Sequence, residues 1–562
     1  MTPSLPAGGP NRRRFLSVLA AGTAMAAAGP VLTACSAPDS GSAGGSGGGA
    51  GADASTLNDL LPTYTPTNIV TPDLPGVDGP AGPTPPGFLT YPADPVRAVE
   101  GTPGAGSTFT AMTPAWWPIP PGLGSNSYYD AVNERLGATF QFNPVPGEDY
   151  GPKLSATLAA SEHPDLTCIP NWDFPARFTE AVPTLFEPIT EYLRGDKGAQ
   201  DYPLLAGFPT TAWAFGVYGN ELYGIPSQFS MFGNVTYYRK DIFDQMGLAE
   251  PTNADELLAL GREVNDPDNN RWAFGDLLWD AQRMFGAPQN WRINSDGTLT
   301  NQIETEEYRA AIEWLRILYS EGLVHPDIAG GQSNGKDLFE SGRMLMYADS
   351  IGAWHEALGR QLANNPDFQM QPFKPFAHDG GTPIVYGPTL PAAFLTFIKK
   401  GTPPEKVQEI LRCLNLLAAP LGTQEYDLAL YGAEGTHWTR GEKNAPQVTD
   451  LGRSEVTLTY GFLVGSPSVI AHVQYPGYVE ALHAWQSEAA QYIDDDPKRG
   501  LHVEEPADLV GLATEYEERV KDVYRGRVDI SEWDSIVASW RRDGGDRLRE
   551  FYAGVFQEAG RM

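Results

Sequence analysis

Glu221-Leu-Tyr-Gly-Ile-Pro226, Asn234-Val-Thr-Tyr-Tyr-Arg-Lys-Asp241, Phe243-Asp-Gln-Met-Gly-Leu248 and Pro251-Thr-Asn-Ala-Asp-Glu-Leu257 stand in close succession, and their reading decides the fold. Asn234 to Tyr238, rich in β-branched and aromatic residues, reads as a short strand. Asn253, with Glu256 three residues on, makes a capping box ahead of a helix whose inner face carries Leu257, Leu260 and Val264. Outward from this stretch, helices and strands alternate. A strand at Ser107 to Thr113 precedes a helix over Tyr128 to Leu136 and a strand at Thr139 to Asn143, where Phe140 and Phe142 alternate. Further short strands are expected at Leu166 to Pro170, Arg343 to Tyr347 and Ala393 to Ile398. Tyr308, Ala311, Ile312, Leu315 and Leu318 form a 3.6-period stripe ended by Gly322, and Val407, Ile410, Leu411, Leu414 and Leu417 form another ended by Pro420. The pattern is that of a layered α/β protein.

The N-terminus reads differently. Arg12-Arg13-Arg14-Phe15-Leu16 opens a short apolar run that closes on Leu32-Thr33-Ala34-Cys35, the layout of a secretory signal, with Arg12 and Arg13 suggesting the twin-arginine route. Leu-Thr-Ala-Cys resembles the bacterial lipobox, which implies cleavage after residue 34 and acylation of Cys35. A single membrane span fits less well, because Gly22, Thr23, Gly29 and Pro30 interrupt a run already short of the ~20 apolar residues a bilayer needs. Residues 35–59, mostly Gly, Ser and Ala, then form a flexible tether. From 60 to 106 the chain is rich in Pro and Gly yet carries Leu74, Phe88 and Tyr91, which suits an extended arm lying along the globular part.

The 562 residues leave, beyond signal and tether, enough chain for two or three domains with full cores. A net charge of −31, made more acidic by loss of the three signal arginines, argues against nucleic acid as a partner and against binding to anionic lipid by charge. Attachment to a membrane would rest on the lipid of Cys35 alone. Cys168 and Cys413 sit in strongly apolar surroundings, where they could pair or remain buried free thiols.

The order and spacing of the motifs from Glu221 to Leu257 resemble the family 1 extracellular solute-binding proteins of ABC importers. Tyr308 to Leu323, Leu338-Phe-Glu-Ser-Gly-Arg-Met344 and Gly544-Gly-Asp-Arg-Leu548 extend the resemblance. The arm beginning Leu61-Pro-Thr-Tyr and the segment Tyr431 to Trp438 are similar to the LipO/LplA-type lipoproteins of oligosaccharide importers. The resemblance implies a two-lobed periplasmic-binding-protein-like α/β fold (type II) with a ligand cleft between the lobes. On that basis 107–228 and 386–460 would form lobe 1, and 229–385 with the helical 461–562 lobe 2. It further implies a monomer that binds an oligosaccharide by lobe closure and docks on ABC transporter permease subunits, with no cofactor and no catalysis.

A sugar presents flat C–H faces and a rim of hydroxyls, so its site needs aromatic platforms beside planar polar groups. Trp116 and Trp117 follow the first strand, and Asn171, Trp172 and Asp173 follow the strand ending at Pro170; ligands of open α/β sheets lie beyond such carboxyl ends. Prolines 114, 118, 120 and 121 allow the plainer reading that Trp116 and Trp117 only cover the sheet. Trp279, Asp280, Asp349, Trp354, His437 and Trp438 lie in segments that border the cleft in relatives, as the resemblance implies. Arg239 is read as half of a structural ion pair with Asp241 or Asp244.

Some relatives carry a calcium loop after the helix corresponding to Glu256 to Val264. Asp266, Asp268 and Asn270 offer oxygens at positions one, three and five, but position six is not Gly and position twelve is Leu277, so a plain turn is expected. Gly331-Gln-Ser333-Asn-Gly335 formally matches a hydrolase nucleophile elbow, but a loop precedes it where that motif needs a strand. No HExxH spacing is present. A polysaccharide-active enzyme and a receptor for a non-sugar solute such as a peptide are the alternatives.

Overall fold

The computed structural model describes residues 60–562 apart from 68, 176, 228–230, 388–389 and 495. Arg12, Arg13 and Cys35, and with them the export signal and tether, lie outside the described residues. The strands of the two main sheets are β1 (Thr108–Ala115), β2 (Thr139–Pro146), β3 (Leu166–Pro170), β4 (Ile225–Ser227), β5 (Asn234–Tyr238), β6 (Trp272–Phe274), β7 (Met344–Ser350), β8 (Gln371–Pro372) and β9 (Phe394–Ile398).

The first sheet has the order β2-β1-β3-β9-β4, with β1 parallel to β2 and β3, and β9 antiparallel to β3 and β4. Period-two alternation explains its two cores. In β9, Phe394 and Ile398 point into one core with Tyr128, Leu136, Ile410 and Tyr460, while Leu395 and Phe397 point into the other with Tyr150, Leu154, Phe178 and Phe186. A strand buried on both faces reads as a continuous apolar run, as Phe-Leu-Thr-Phe-Ile does. The second sheet, β6-β7-β5-β8, is parallel only between β6 and β7. The helices Ala254–Val264, Glu306–Ser320 and Leu512–Tyr524 help build its core.

Several strands run further than local sequence suggests. β1 and β2 continue to Ala115 and Pro146 because Thr113, Pro114 and Ala115 register against Pro144, Val145 and Pro146. Prolines are tolerated in β2 because it is an edge strand, with no ladder partner on its outer side. β7 reaches Ser350 through its pairing with Asn234. The capping box is half realised: Asn253 Oδ1 accepts the Glu256 N–H at 2.9 Å, but the Glu256 carboxylate takes the N–H and hydroxyl of Thr252. Arg239 and Asp241 form the buried pair read from sequence, at 2.7 Å. Cys168 and Cys413 are both buried and free. The helix Thr459–Leu463, on which the expected lobe division at 460 falls, packs against the first sheet through Tyr460, Phe462 and Leu463.

The arm runs along both halves. Leu61 is buried in a core of the first sheet, and Thr65 N–H donates to Ala206 O at 2.8 Å. Leu74 and Gly87 then pair with each other, Phe88 N–H donates to Ile470 O at 2.9 Å, and Phe88 enters the core of the second sheet. Val96 finally returns to Gly422 and Thr423, at the start of the helix Gln424–Tyr431.

Candidate functional site

Topology places two sheet edges opposite each other. In the first sheet Ser227, the last residue of β4, pairs with Phe394, which pairs with Pro170, the last residue of β3. The chain then crosses through residues 228–233 to Asn234, which pairs with Ser350, the last residue of β7. A crossing this short spans at most about 25 Å even fully extended. The second crossing leaves β8, which runs in the same direction as β7, and enters the first sheet at Phe394. Both crossings therefore join the carboxyl ends of β1 and β3 to those of β6 and β7, leaving a cleft between two lobes where open α/β sheets bind ligands.

On the first edge stand two exposed indoles. Trp116 is 50% exposed and Trp172 59%, with ring centres 5.9 Å apart and planes at 53°. Beneath them Phe394 and Phe462 form a floor: Phe462 meets Trp116 edge-on at 5.8 Å and lies 4.5 Å from Phe394, which is 5.5 Å from Trp172. Trp117 stacks on Phe462 at 5.4 Å, and its buried Nε1 has no hydrogen-bond partner within the chain. Two glycines of the helix Gly147–Ala159 set the height of this surface. A Cβ at Gly147 would fall 2.1 Å from Trp116 Nε1, and one at Gly151 would fall 2.8 Å from Asp173 Oδ1. Residues four apart share one helix face, so Gly147 and Gly151 form a flat shelf for both side chains.

Asn171 is held in place by donating from Nδ2 to Ala392 O at 2.8 Å. Asp173 is partly buried; its Oδ2 has no partner within the chain, and burial pushes its carboxyl above the ordinary carboxylate value.

On the second edge Trp279 is 46% exposed. Asp280 is buried beside it; its Oδ1 is bonded to Thr236 Oγ1 and paired with Arg283, while its Oδ2 has no partner within the chain. Asp349, at the end of β7, accepts the Ser350 N–H at 2.7 Å; burial raises its carboxyl even so.

Three of the expected residues belong to the interior. Trp354 packs against Tyr237 and Tyr478 in the core of the second sheet. Trp438 is 1% exposed and donates from Nε1 to Gly432 O at 2.8 Å. His437 is fully buried: its Nδ1 accepts from Ala433 N–H at 3.0 Å, and its Nε2 lies 3.0 Å from Ser127 Oγ and 3.3 Å from Glu455. An Nδ1 that accepts leaves Nε2 as the donor, so this histidine is not arranged to take a proton from Ser127. With no face open to solvent, none of the three offers a ligand a surface.

Asp266 accepts from Asn269 Nδ2 at 2.7 Å and lies 3.6 Å from Arg271, within a one-turn 3₁₀ helix over Pro267–Asn269. Gly331 follows the short helix Pro326–Ala329, so Ser333 has no strand before it.

The lobes also touch beside the aromatic edge. His502, on a segment packed on the second lobe through Leu501 and Val503, stacks on Phe215 at 4.2 Å and lies 4.5 Å from Tyr218, both in a core of the first sheet. Phe394, Phe462, Gly147 and Gly151 are the parts of this surface that residue-by-residue reading passed over. The closeness of the two glycines in Gly147-Glu-Asp-Tyr-Gly151 was the available signal.

Residues 107–415 match the family model of the bacterial extracellular solute-binding protein. YtcQ of Bacillus subtilis, named as a polygalacturonan/rhamnogalacturonan-binding protein, is 22% identical over 456 residues, which cover 76% of this chain and 86% of YtcQ. Lipoprotein LipO of the same species is 28% identical over 244 residues, 40% of this chain and 46% of LipO. The N-glycan transport solute binding protein NgtS of Streptococcus pneumoniae shares the fold, with a TM-score of 0.58 at 14% identity over 80% of this chain and 98% of NgtS. With a matched span longer than half of its length and a cleft between two α/β lobes, this chain belongs to the bacterial extracellular solute-binding proteins.

Proposed function

We propose that this protein is the lipid-anchored substrate-binding component of an ABC importer, closing its lobes around an oligosaccharide and delivering it to permease subunits as a monomer. The exposed pair Trp116 and Trp172, on an edge that faces a second lobe, carries the reading. Two indoles at 53° suit successive pyranose faces, and closure of the second lobe, bringing Trp279 and Asp349, would shut water away from the hydrogen bonds to the sugar. Asn171 and Asp173 supply polar groups beside the platforms, and Trp117 supports them through Phe462. Lobe 1 is assigned to 107–228 and 386–460, with the rest of the helix Thr459–Leu463 that packs in its core, and lobe 2 to 229–385 and the remainder of 461–562. The names of YtcQ and NgtS, both saccharide binders, support the ligand class.

Anchoring at Cys35 after export directed by Arg12 and Arg13 is supported by the order of signal, lipobox and tether and by the lipoprotein LipO. Among the described residues no helix is long and apolar enough to cross a membrane.

Incubation of the purified protein with polysaccharide fragments tests the assignment. A tryptophan-fluorescence change with the saccharide recovered intact is expected. Cleavage of the chain would establish an enzyme instead, and tight binding of a peptide with no response to any saccharide would overturn the sugar reading.

A further inference from the structure

We infer that the cleft selects uncharged saccharides and discriminates against uronates, with Asp173 as a specificity-determining residue; this rests on the saccharide reading above. The loop from Trp116 to Asn126 contains no ionisable side chain. The next, from Asn171 to Arg177, contains Asp173 and Arg177, and Arg177 is an exposed residue paired with Glu180 at 2.5 Å. The first turn of the helix that carries the shelf adds Glu148 and Asp149. Across the cleft, Asp280 is neutralised by Arg283, while Asp276 accepts the hydroxyls of Tyr319 and Tyr524 at 3.3 and 3.0 Å and lies 3.8 Å from Arg525. Asp349 completes that edge. The ammonium group of Lys153 lies on the helix Gly147–Ala159; Lys336 and Arg360, on the helices Gly335–Glu340 and Ala353–Gln361, act on Asp349 from behind these loops, and Arg360 is paired with Glu340 at 2.6 Å.

Carboxylate recognition relies on charge-assisted pairing, best supplied by an arginine fork. Among the described residues of these loops the guanidinium present is already paired, and the other charges are acidic. A uronate would therefore meet like charge in a space that closure makes less aqueous, where repulsion is stronger. A neutral hydroxyl carries no charge for the Asp173 carboxylate to repel, and that carboxylate sits beside Trp172 with its Oδ2 buried and without a partner in the chain. Its neighbour Asn171 donates Nδ2 to Ala392 O, which leaves the amide Oδ1 as a neutral acceptor on this loop. The preference would separate this protein from what the name of YtcQ states of that relative.

Calorimetry on the full chain can decide this, using short uncharged oligosaccharides from arabinan, galactan, xylan and mannan beside oligogalacturonates and rhamnogalacturonan fragments. We expect at least one uncharged probe to bind, with an affinity that changes less than about twofold across the salt range in which exposed charges become screened. Oligogalacturonate should bind at least about tenfold more weakly, and Asp173→Asn should narrow that ratio by about threefold or more, since it removes like-charge repulsion while keeping the shape. Oligogalacturonate binding as tightly as the best uncharged probe would overturn the inference and leave the saccharide reading standing. Failure of every saccharide of either kind would overturn that reading, and the inference with it. Should Asp173→Asn not fold, the salt series and the ratio on the unaltered chain still decide between these outcomes.

Discussion

Trp172 shows how exposure separates a binding group from a structural one. At 59% exposed it has little burial to lose, so Trp172→Ala should cost under about 1 kcal/mol of stability. If it is a sugar platform, the same change should weaken ligand binding at least about tenfold, in line with the dominance of a few aromatic anchors. Calorimetry and thermal unfolding on one preparation test both, and unchanged affinity would return Trp172 to the scaffold. Phe462 beneath it predicts the opposite balance. It is 3% exposed and touches Trp116, Trp117 and Phe394, so Phe462→Ala should destabilise by about 3–5 kcal/mol.

Buried titrating residues act at this scale too. Asp427 accepts the Tyr91 hydroxyl at 2.6 Å, and burial pushes its carboxyl from 3.8 up to about 6. A carboxyl whose pKa is raised by folding binds its proton more tightly in the folded state. Its contribution is therefore complete below the unfolded value and is lost as pH rises towards 6. His355 and His502, pushed down from 6.5 to about 4 by burial, act in the reverse sense: their contribution is present above 6.5 and lost as pH falls. Asp427→Asn can keep the Tyr91 hydrogen bond through its amide oxygen and removes the first effect together with the 3.7 Å ion pair to Arg440. The variant should gain up to about 3 kcal/mol on the parent between pH 4 and pH 7. An equal stability difference at both pH values, measured by denaturant unfolding, would contradict this.

At the scale of elements, the helix Gly147–Ala159 matters for what it lacks. A single methyl at Gly147 would overlap the indole nitrogen of Trp116, and because the obstacle is a large ring on a strand end, the ring must rotate or the helix must shift. Gly147→Ala should favour helix formation by roughly 0.5–1 kcal/mol in isolation, yet the clash should offset that gain and weaken binding several-fold. Fluorescence titration against the parent checks it; unaltered affinity would mean that Trp116 takes no part. The same element shows the reach of local sequence. Its amphipathic pattern is readable, but nothing local says that its first two turns must be bare on one face.

For the whole molecule, the arm is the distinctive feature. It enters one lobe at Leu61, the other at Phe88, and returns to the first at Tyr91 and Val96, so it adds a tie between two lobes that the crossings and the His502 contact also join. Phe88→Ala removes a buried ring from the second lobe and should cost about 3–5 kcal/mol, unfolding both lobes at a lower temperature in scanning calorimetry. A change confined to a separate low-temperature transition would mean that the arm does not couple the lobes. The Tyr91 to Asp427 hydrogen bond lies on the same path, so the pH effect above belongs to this strap.

The sequence by itself determined the α/β alternation, the strands Leu166–Pro170 and Asn234–Tyr238 to the residue, an ion pair of Arg239 with Asp241 or Asp244, of which the structure selects Asp241, and the aromatic character of the strand ends, because each rests on periodicity or on neighbours a few residues apart. The proposed export and anchoring signal rests on sequence alone, since it lies outside the described residues. Which tryptophans stand free was decided only by tertiary structure. Trp172 and Trp438 are the same residue type, each beside polar groups, yet one is 59% exposed and the other 1%. The difference comes from what packs on each indole: the turn through Tyr431 and Gly432 folds back over Trp438, while Trp172 rests on the distant Phe394 with its outer face open. Both outcomes depend on how the chain turns in three dimensions, and so does the cleft, which exists because crossings join the carboxyl ends of separate sheets.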